Sequence, residues 1–213
     1  MYTPQRPSQS EDLPIRHMTY RVRTWGQPQP GMPPLVLVHG WMDVGASWQF
    51  VVDALSEAFF HQRHIIAPDW RGFGHSMLPA PCDHYSFADY LGDLDALLDH
   101  YAPGDQPVDL VGHSMGGNVA MLYAGARPQR IRRLVNLEGF GLPATQPTQA
   151  PQRIAQWLDE LKALHAQEIE LKTYDSVQAV AARLQKTNRR LGMDKALWLA
   201  HEWAAPNAQG HWA

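Results

Sequence analysis

The sequence predicts an α/β fold: a mostly parallel sheet flanked by helices. Short β-branched, apolar runs alternate with helical stretches through the first two thirds of the chain, the pattern of β-α-β units with right-handed crossovers. The runs Leu35-Val36-Leu37-Val38 and His64-Ile65-Ile66-Ala67 are almost continuously apolar, as strands buried on both faces must be. A third run, Val108-Asp109-Leu110-Val111, leads directly into Gly112-His113-Ser114-Met115-Gly116 and then into a helix-like stretch beginning Asn118-Val119-Ala120. Strand, tight turn and helix in that order suit a serine held on a strained corner between two closely approaching backbones.

The elements follow in order. Residues 1–14, rich in Pro, Gln and Ser, are expected to be a disordered lead-in. Residues 17–25 alternate and suit an early antiparallel strand. Residues 27–34 hold four prolines and a glycine and read as a loop. Residues 47–59 are helical by spacing, with Trp48, Val51, Val52, Leu55 and Phe59 on one side. Ser86 can cap a helix running to about residue 100, with Tyr90, Leu94, Leu97 and Leu98 on its apolar face. The helix after Ser114 extends to about residue 127, and a strand covers 131–137. Beyond Gly141 the composition changes. Residues 143–151 read as a linker, and 154–165, 176–188 and 194–204 as helices with no strand between them. The expected partition is an α/β core over 15–142 and a helical module over 143–213.

Composition narrows the function classes. The 213 residues carry a net charge of −3 with both signs scattered, so nucleic-acid binding has no electrostatic footprint. A single cysteine, Cys82, rules out an internal disulfide framework. No apolar run is long enough to span a bilayer, and residues 1–14 lack the apolar stretch of a signal peptide. The expected address is the cytoplasm. No metal or cofactor is called for.

Three segments together carry a family resemblance: His39-Gly40-Trp41-Met42-Asp43, Pro68-Asp69-Trp70-Arg71-Gly72-Phe73-Gly74-His75-Ser76, and the corner around Ser114. Each ends a predicted strand. In this order and spacing they resemble the α/β-hydrolase superfamily, and most closely its cap-bearing, esterase-like serine hydrolases. The resemblance implies that the helices after residue 142 form a cap, with Trp157, Leu161, Trp198 and Trp203 as possible pocket walls beside ordinary cap packing. Ser114 would be the nucleophile. The backbone N–H groups of Met115 and Trp41 would form the oxyanion hole. Epoxide hydrolases and haloalkane dehalogenases are disfavoured, because they place an aspartate where this chain has Ser114. Carbon–carbon bond hydrolysis and cofactor-free perhydrolysis use the same corner.

The family places its acid and then its histidine after the serine. Glu138, at the end of the strand after the Ser114 helix, could be the acid that orients an imidazole. It could equally be a polar strand end leading into Gly139-Phe140-Gly141. His165, His201 and His211 follow it. His165 and His201 fall in predicted helices, and His211 follows Gly210 near the end of the chain. His113 and His75 are set aside as structural, as are Asp69 and Arg71. The expectation is therefore a chain that stops inside or just after its cap, without the last strands and without a well-held base. Such a chain would expose an unpaired sheet edge prone to self-association. Its expected activity is impaired hydrolysis of small esters or acyl compounds. The alternative is an inactive hydrolase fold serving in binding or regulation.

Overall fold

Each apolar run becomes a strand, because alternate side chains of a strand reach opposite faces and both faces here are covered. In this computed structural model the described residues are all but Met1, Pro81, Asp83, Leu142, Pro143, Gln167, Ile169, Glu170 and Leu171. The elements in chain order are β1 (Gln9–Ile15), β2 (Met18–Trp25), β3 (Leu35–Val38), α1 (Gln49–Ala54), α2 (Glu57–Phe60), β4 (Ile65–Pro68), α3 (Phe87–Tyr101), β5 (Val108–His113), α4 (Met115–Ala126), β6 (Ile131–Leu137), α5 (Ala150–His165), α6 (Val177–Thr187) and α7 (Met193–Trp203). The sheet order is β1-β2-β4-β3-β5-β6. β4, β3, β5 and β6 run parallel, and β1 and β2 are antiparallel.

The sheet divides its apolar residues between two cores. Val36 and Val38 of β3 join Ile66, Leu110 and Val22 under Leu94, Leu97 and Leu98 of α3 and Val119, Ala120 and Tyr123 of α4. Leu35 and Leu37 face the other way and pack with Trp25, Ile65 and Ala67 against Trp48 and Val52. A third cluster lies between α6 and α7 and takes in Phe50 of α1. Two charged networks are buried with the cores. Asp93 accepts hydrogen bonds from Arg71, Arg16 and Tyr20. Asp109 is held between Arg63 and Arg132.

Several expectations are corrected. Residues 9–14, expected within a disordered lead-in, belong to β1. Leu13 and Ile15 are buried in the first core, and pairing with β2 satisfies the backbone. The segment before β1 is also anchored. Arg6 donates to the carbonyls of Val52 and Leu55 at the end of α1, and the Tyr2 ring meets Phe50 and Trp198. The helix predicted over 47–59 is broken into a 3-10 turn, α1 and α2, because Leu55 turns extended and Ser56 caps α2 through Phe59 N. Ser86 does precede α3, but its side chain makes no cap bond. The predicted linker 143–151 gives way to a 3-10 turn at 147–149 and to α5, which starts at Ala150 with a proline in its first turn. The predicted boundary at residues 142 and 143 lies outside the described residues. β6 pairs only with β5 among the described residues, and Val135 and Leu137 on it are exposed. No described helix is long and apolar enough to cross a membrane.

Candidate active site

The site is built on the C-terminal ends of β3 and β5, where ligands of open α/β sheets bind. β5 stops at His113, and Ser114 takes φ 50° and ψ −114° before α4 begins at Met115. That backbone is strained for a residue with a Cβ, and the surroundings hold it in place. Ser114 N–H donates to Leu137 O at 2.7 Å. The flanking glycines are required by contact. A Cβ on Gly112 would lie 2.4 Å from Gly116 O, and one on Gly116 would lie 2.5 Å from the carbonyl oxygens of both Val38 and His39. Small residues thus let α4 press against the ends of two strands and leave Ser114 at the tip.

The loop after β3 reaches the same tip. A Cβ built on Gly40 would sit 3.1 Å from Ser114 Cβ. His39 anchors this loop from beneath. Its Nε2 accepts from Trp70 N–H at 2.8 Å, its Nδ1 lies 2.8 Å from Gly40 O, and Trp70 Nε1 donates to His39 O. Complete burial lowers the His39 pKa from 6.5 to about 4, so the ring is neutral, with Nδ1–H donating to Gly40 O. Met42 follows at φ 54°. Asp43 then accepts from Val44 N–H and from the Ser47 hydroxyl, and burial raises its carboxyl above the usual range. Trp203 of α7 donates to Ser47 Oγ at 3.2 Å and so ties α7 to this loop. Neither Trp41 N–H nor Met115 N–H has an acceptor among the described residues. Two amides beside Ser114 therefore stand free.

Ser114 opens on a cleft of about 1190 Å³ lined by Trp41, His84, Tyr85, Phe87, Tyr90, Met115, Asn118, Met121, Leu122, Gly139, Phe140 and Gly141. Ser114, Trp41 and Met115 are brought together as the sequence implied. The other candidates are not. Glu138 is exposed at φ 63°, without a hydrogen bond among the described residues, and does not line the cleft. The turn behind it is held by Asn136, whose side chain pairs with both N–H and C=O of Gly139. His211 lies in a turn where its N–H donates to Asn207 Oδ1, beside the bridges of Trp212 to Tyr174 and Pro206. His201 meets Trp212 edge to face at 5.5 Å, and His165 ends α5. None of these histidines lines the cleft. Ser114 Oγ makes no side-chain hydrogen bond among the described residues.

The expected cap walls are also corrected. Trp198 and Trp203 pack in the α6–α7 cluster, and Leu161 and Trp157 lie outside the cleft lining. Trp157 instead meets the His84 ring at 6.4 Å. The walls come from the core itself. Met115, Asn118, Met121 and Leu122 share one side of α4 at helical spacing, a signal the sequence did contain. The contributions of Tyr85 and Phe140 had no periodic signal. Asp69 and Arg71 are structural as expected. Asp69 accepts from Gly45 and His75 N–H, and Arg71 pairs with Asp93.

The family model described as alpha/beta hydrolase fold matches residues 33–212. The chain belongs to the α/β-hydrolase fold family. Epoxide hydrolase A of Mycobacterium tuberculosis is 33% identical over 132 residues, which cover 61% of this chain and 39% of that protein. 2-Hydroxymuconate semialdehyde hydrolase of Pseudomonas sp. (strain CF600) is 36% identical over 121 residues, covering 53% and 39%. The chain therefore spans about two-fifths of the length of these curated relatives. A thioesterase domain from the curacin biosynthetic pathway superposes with a TM-score of 0.80 at 27% identity, covering 97% of this chain and 69% of that one.

Proposed function

We propose that this chain carries the nucleophile and oxyanion half of a serine hydrolase for small ester or acyl substrates. The observation that carries the reading is the strained Ser114 corner with two acceptor-free amides, Met115 and Trp41, beside it. Ser114 Oγ attacks the substrate carbonyl carbon as its proton passes to water, and the oxygen that becomes negative moves into reach of the two N–H groups. Collapse of the intermediate breaks the bond to the leaving group and leaves an acyl-serine ester. Donors placed in advance favour charge that develops only in the transition state, by about 3–4 kcal/mol each. Glu138, just after β6, is the carboxylate that the family resemblance would assign to orienting an imidazole, although it does not line the cleft.

The nucleophile chemistry selects among the relatives. A serine that opens an epoxide forms an ether, which water does not cleave. A serine that attacks an acyl carbon forms an ester, which water does. The acyl reading therefore fits Ser114 and the thioesterase and semialdehyde-hydrolase likenesses better than epoxide opening. With no base bonded to Ser114 among the described residues, turnover by this chain alone is slow. Oxyanion hole and binding still leave about 10³- to 10⁴-fold acceleration over water.

The test is labelling with a fluorophosphonate probe, located by peptide mass spectrometry. Slow labelling on Ser114 that disappears in Ser114→Ala supports the reading. No labelling, or labelling that Ser114→Ala leaves unchanged, overturns it in favour of an inactive, ligand-binding hydrolase fold.

A further inference from the structure

We infer that the cleft beside Ser114 takes an uncharged, elongated apolar acyl chain. The inference rests on reading Ser114 as the nucleophile and extends it to the class of substrate. Its volume, about 1190 Å³, exceeds the roughly 300–1,000 Å³ of an ordinary small-molecule pocket, so there is room for more than a short acyl group. Its walls are large apolar side chains from three elements: Met121 and Leu122 of α4, Phe87 and Tyr90 of α3, and Phe140 after β6. Leu122 is 55% exposed and Phe140 84% exposed. Large apolar side chains gathered bare on one concavity mark a ligand surface.

The polar inventory of the cleft is small and partly committed. Tyr90 donates its hydroxyl to Arg71 O at 3.2 Å, away from any ligand. Asn118 Oδ1 accepts from Gly141 N–H at 2.7 Å. Among the described lining residues His84 contributes an imidazole, and none is Lys, Arg, Asp or Glu. A carboxylate drawn into such a cleft would lose its hydration and meet no Lys or Arg among the described lining residues, which is costly. A hydrocarbon tail would lose nothing and would cover Leu122 and Phe140. The oxyanion amides need only one neutral carbonyl at the Ser114 end. The cleft therefore discriminates on charge at the far end of the acyl chain, and it rewards length.

Isothermal titration calorimetry on wild type and on Ser114→Ala tests this without requiring turnover. The probes are methyl alkyl ketones of increasing chain length and, for the longest, the same ketone ending in a carboxylate. Affinity is expected to rise about two- to fourfold per methylene. The carboxylate is expected to weaken binding by about 30-fold or more, given the cost of an unpaired charge there. Leu122→Arg, at a half-exposed helix position, is expected to weaken the neutral ketone and to recover the carboxylate, with the far-UV circular dichroism unchanged. Affinity independent of chain length, or equal affinity for both ends, overturns the inference. The two readings fail separately. Fluorophosphonate labelling with a flat ketone series removes the apolar-chain inference alone, whereas a rising ketone series without labelling removes the nucleophile role and leaves the ligand class standing.

Discussion

Acidification is expected to weaken this fold in part through His39. His39 lies fully buried beneath the oxyanion loop, with Nε2 accepting from Trp70 N–H. A proton on Nε2 would set one donor against another and place a charge where no water reaches. Burial accordingly holds its folded pKa near 4 instead of 6.5. Because the folded pKa lies below the unfolded one, the unfolded chain binds the proton first. The stability owed to this group is complete above about pH 6.5 and is lost as pH falls towards 4. At about 1.36 kcal/mol per pKa unit, the loss between pH 7.5 and 4.5 is on the order of 2–3 kcal/mol. The buried carboxyls of Asp43 and Asp69, both raised by desolvation, act with the opposite sign. The measurement is therefore the difference in urea-unfolding free energy between wild type and His39→Gln at each pH. Glutamine can accept from Trp70 but does not titrate. The wild-type advantage is expected to shrink by about 2–3 kcal/mol over that range. A difference constant to within about 0.5 kcal/mol would refute the argument that His39 is neutral and locked.

Gly116→Ala places a methyl group 2.5 Å from two backbone carbonyl oxygens that cannot rotate away. It is expected to cost about 2–3 kcal/mol, read as a fall in Tm of about 5–10 °C. Gly125→Ala, in the same helix with nothing within 4 Å of the new methyl, is the control and is expected to be neutral or slightly stabilising. Asp93→Ala strips the buried Arg71 of its hydrogen-bonded partner and is expected to cost about 3–5 kcal/mol in chemical unfolding; an effect below about 1 kcal/mol would show that Arg71 finds water. Turnover of p-nitrophenyl acetate by this chain is expected to be slow, with only a small loss in Ser114→Ala; a large Ser114-dependent rate would mean that a base reaches Ser114 after all.

The local rules of the chain settled a good deal. Strand period, the continuous apolar runs and the small residues around Ser114 placed the parallel strands, the helix of α4 and the strained corner, because φ/ψ limits and side-chain alternation are properties of neighbouring residues. Ser114 and Met115 fell on that corner by the same local rules, whereas Trp41 entered through the family resemblance. What needed the tertiary structure was everything set by distant packing. Polar-looking residues 9–14 became a strand because Leu13 and Ile15 found the core. Trp198 and Trp203 were spent on the α6–α7 cluster, and Tyr85, Phe87 and Phe140 became cleft walls instead. His39 turned from a loop residue into a neutral buried anchor only once Trp70 was brought against it. Which surfaces meet is decided by the sum of many long-range burials, and no short window of sequence contains that sum.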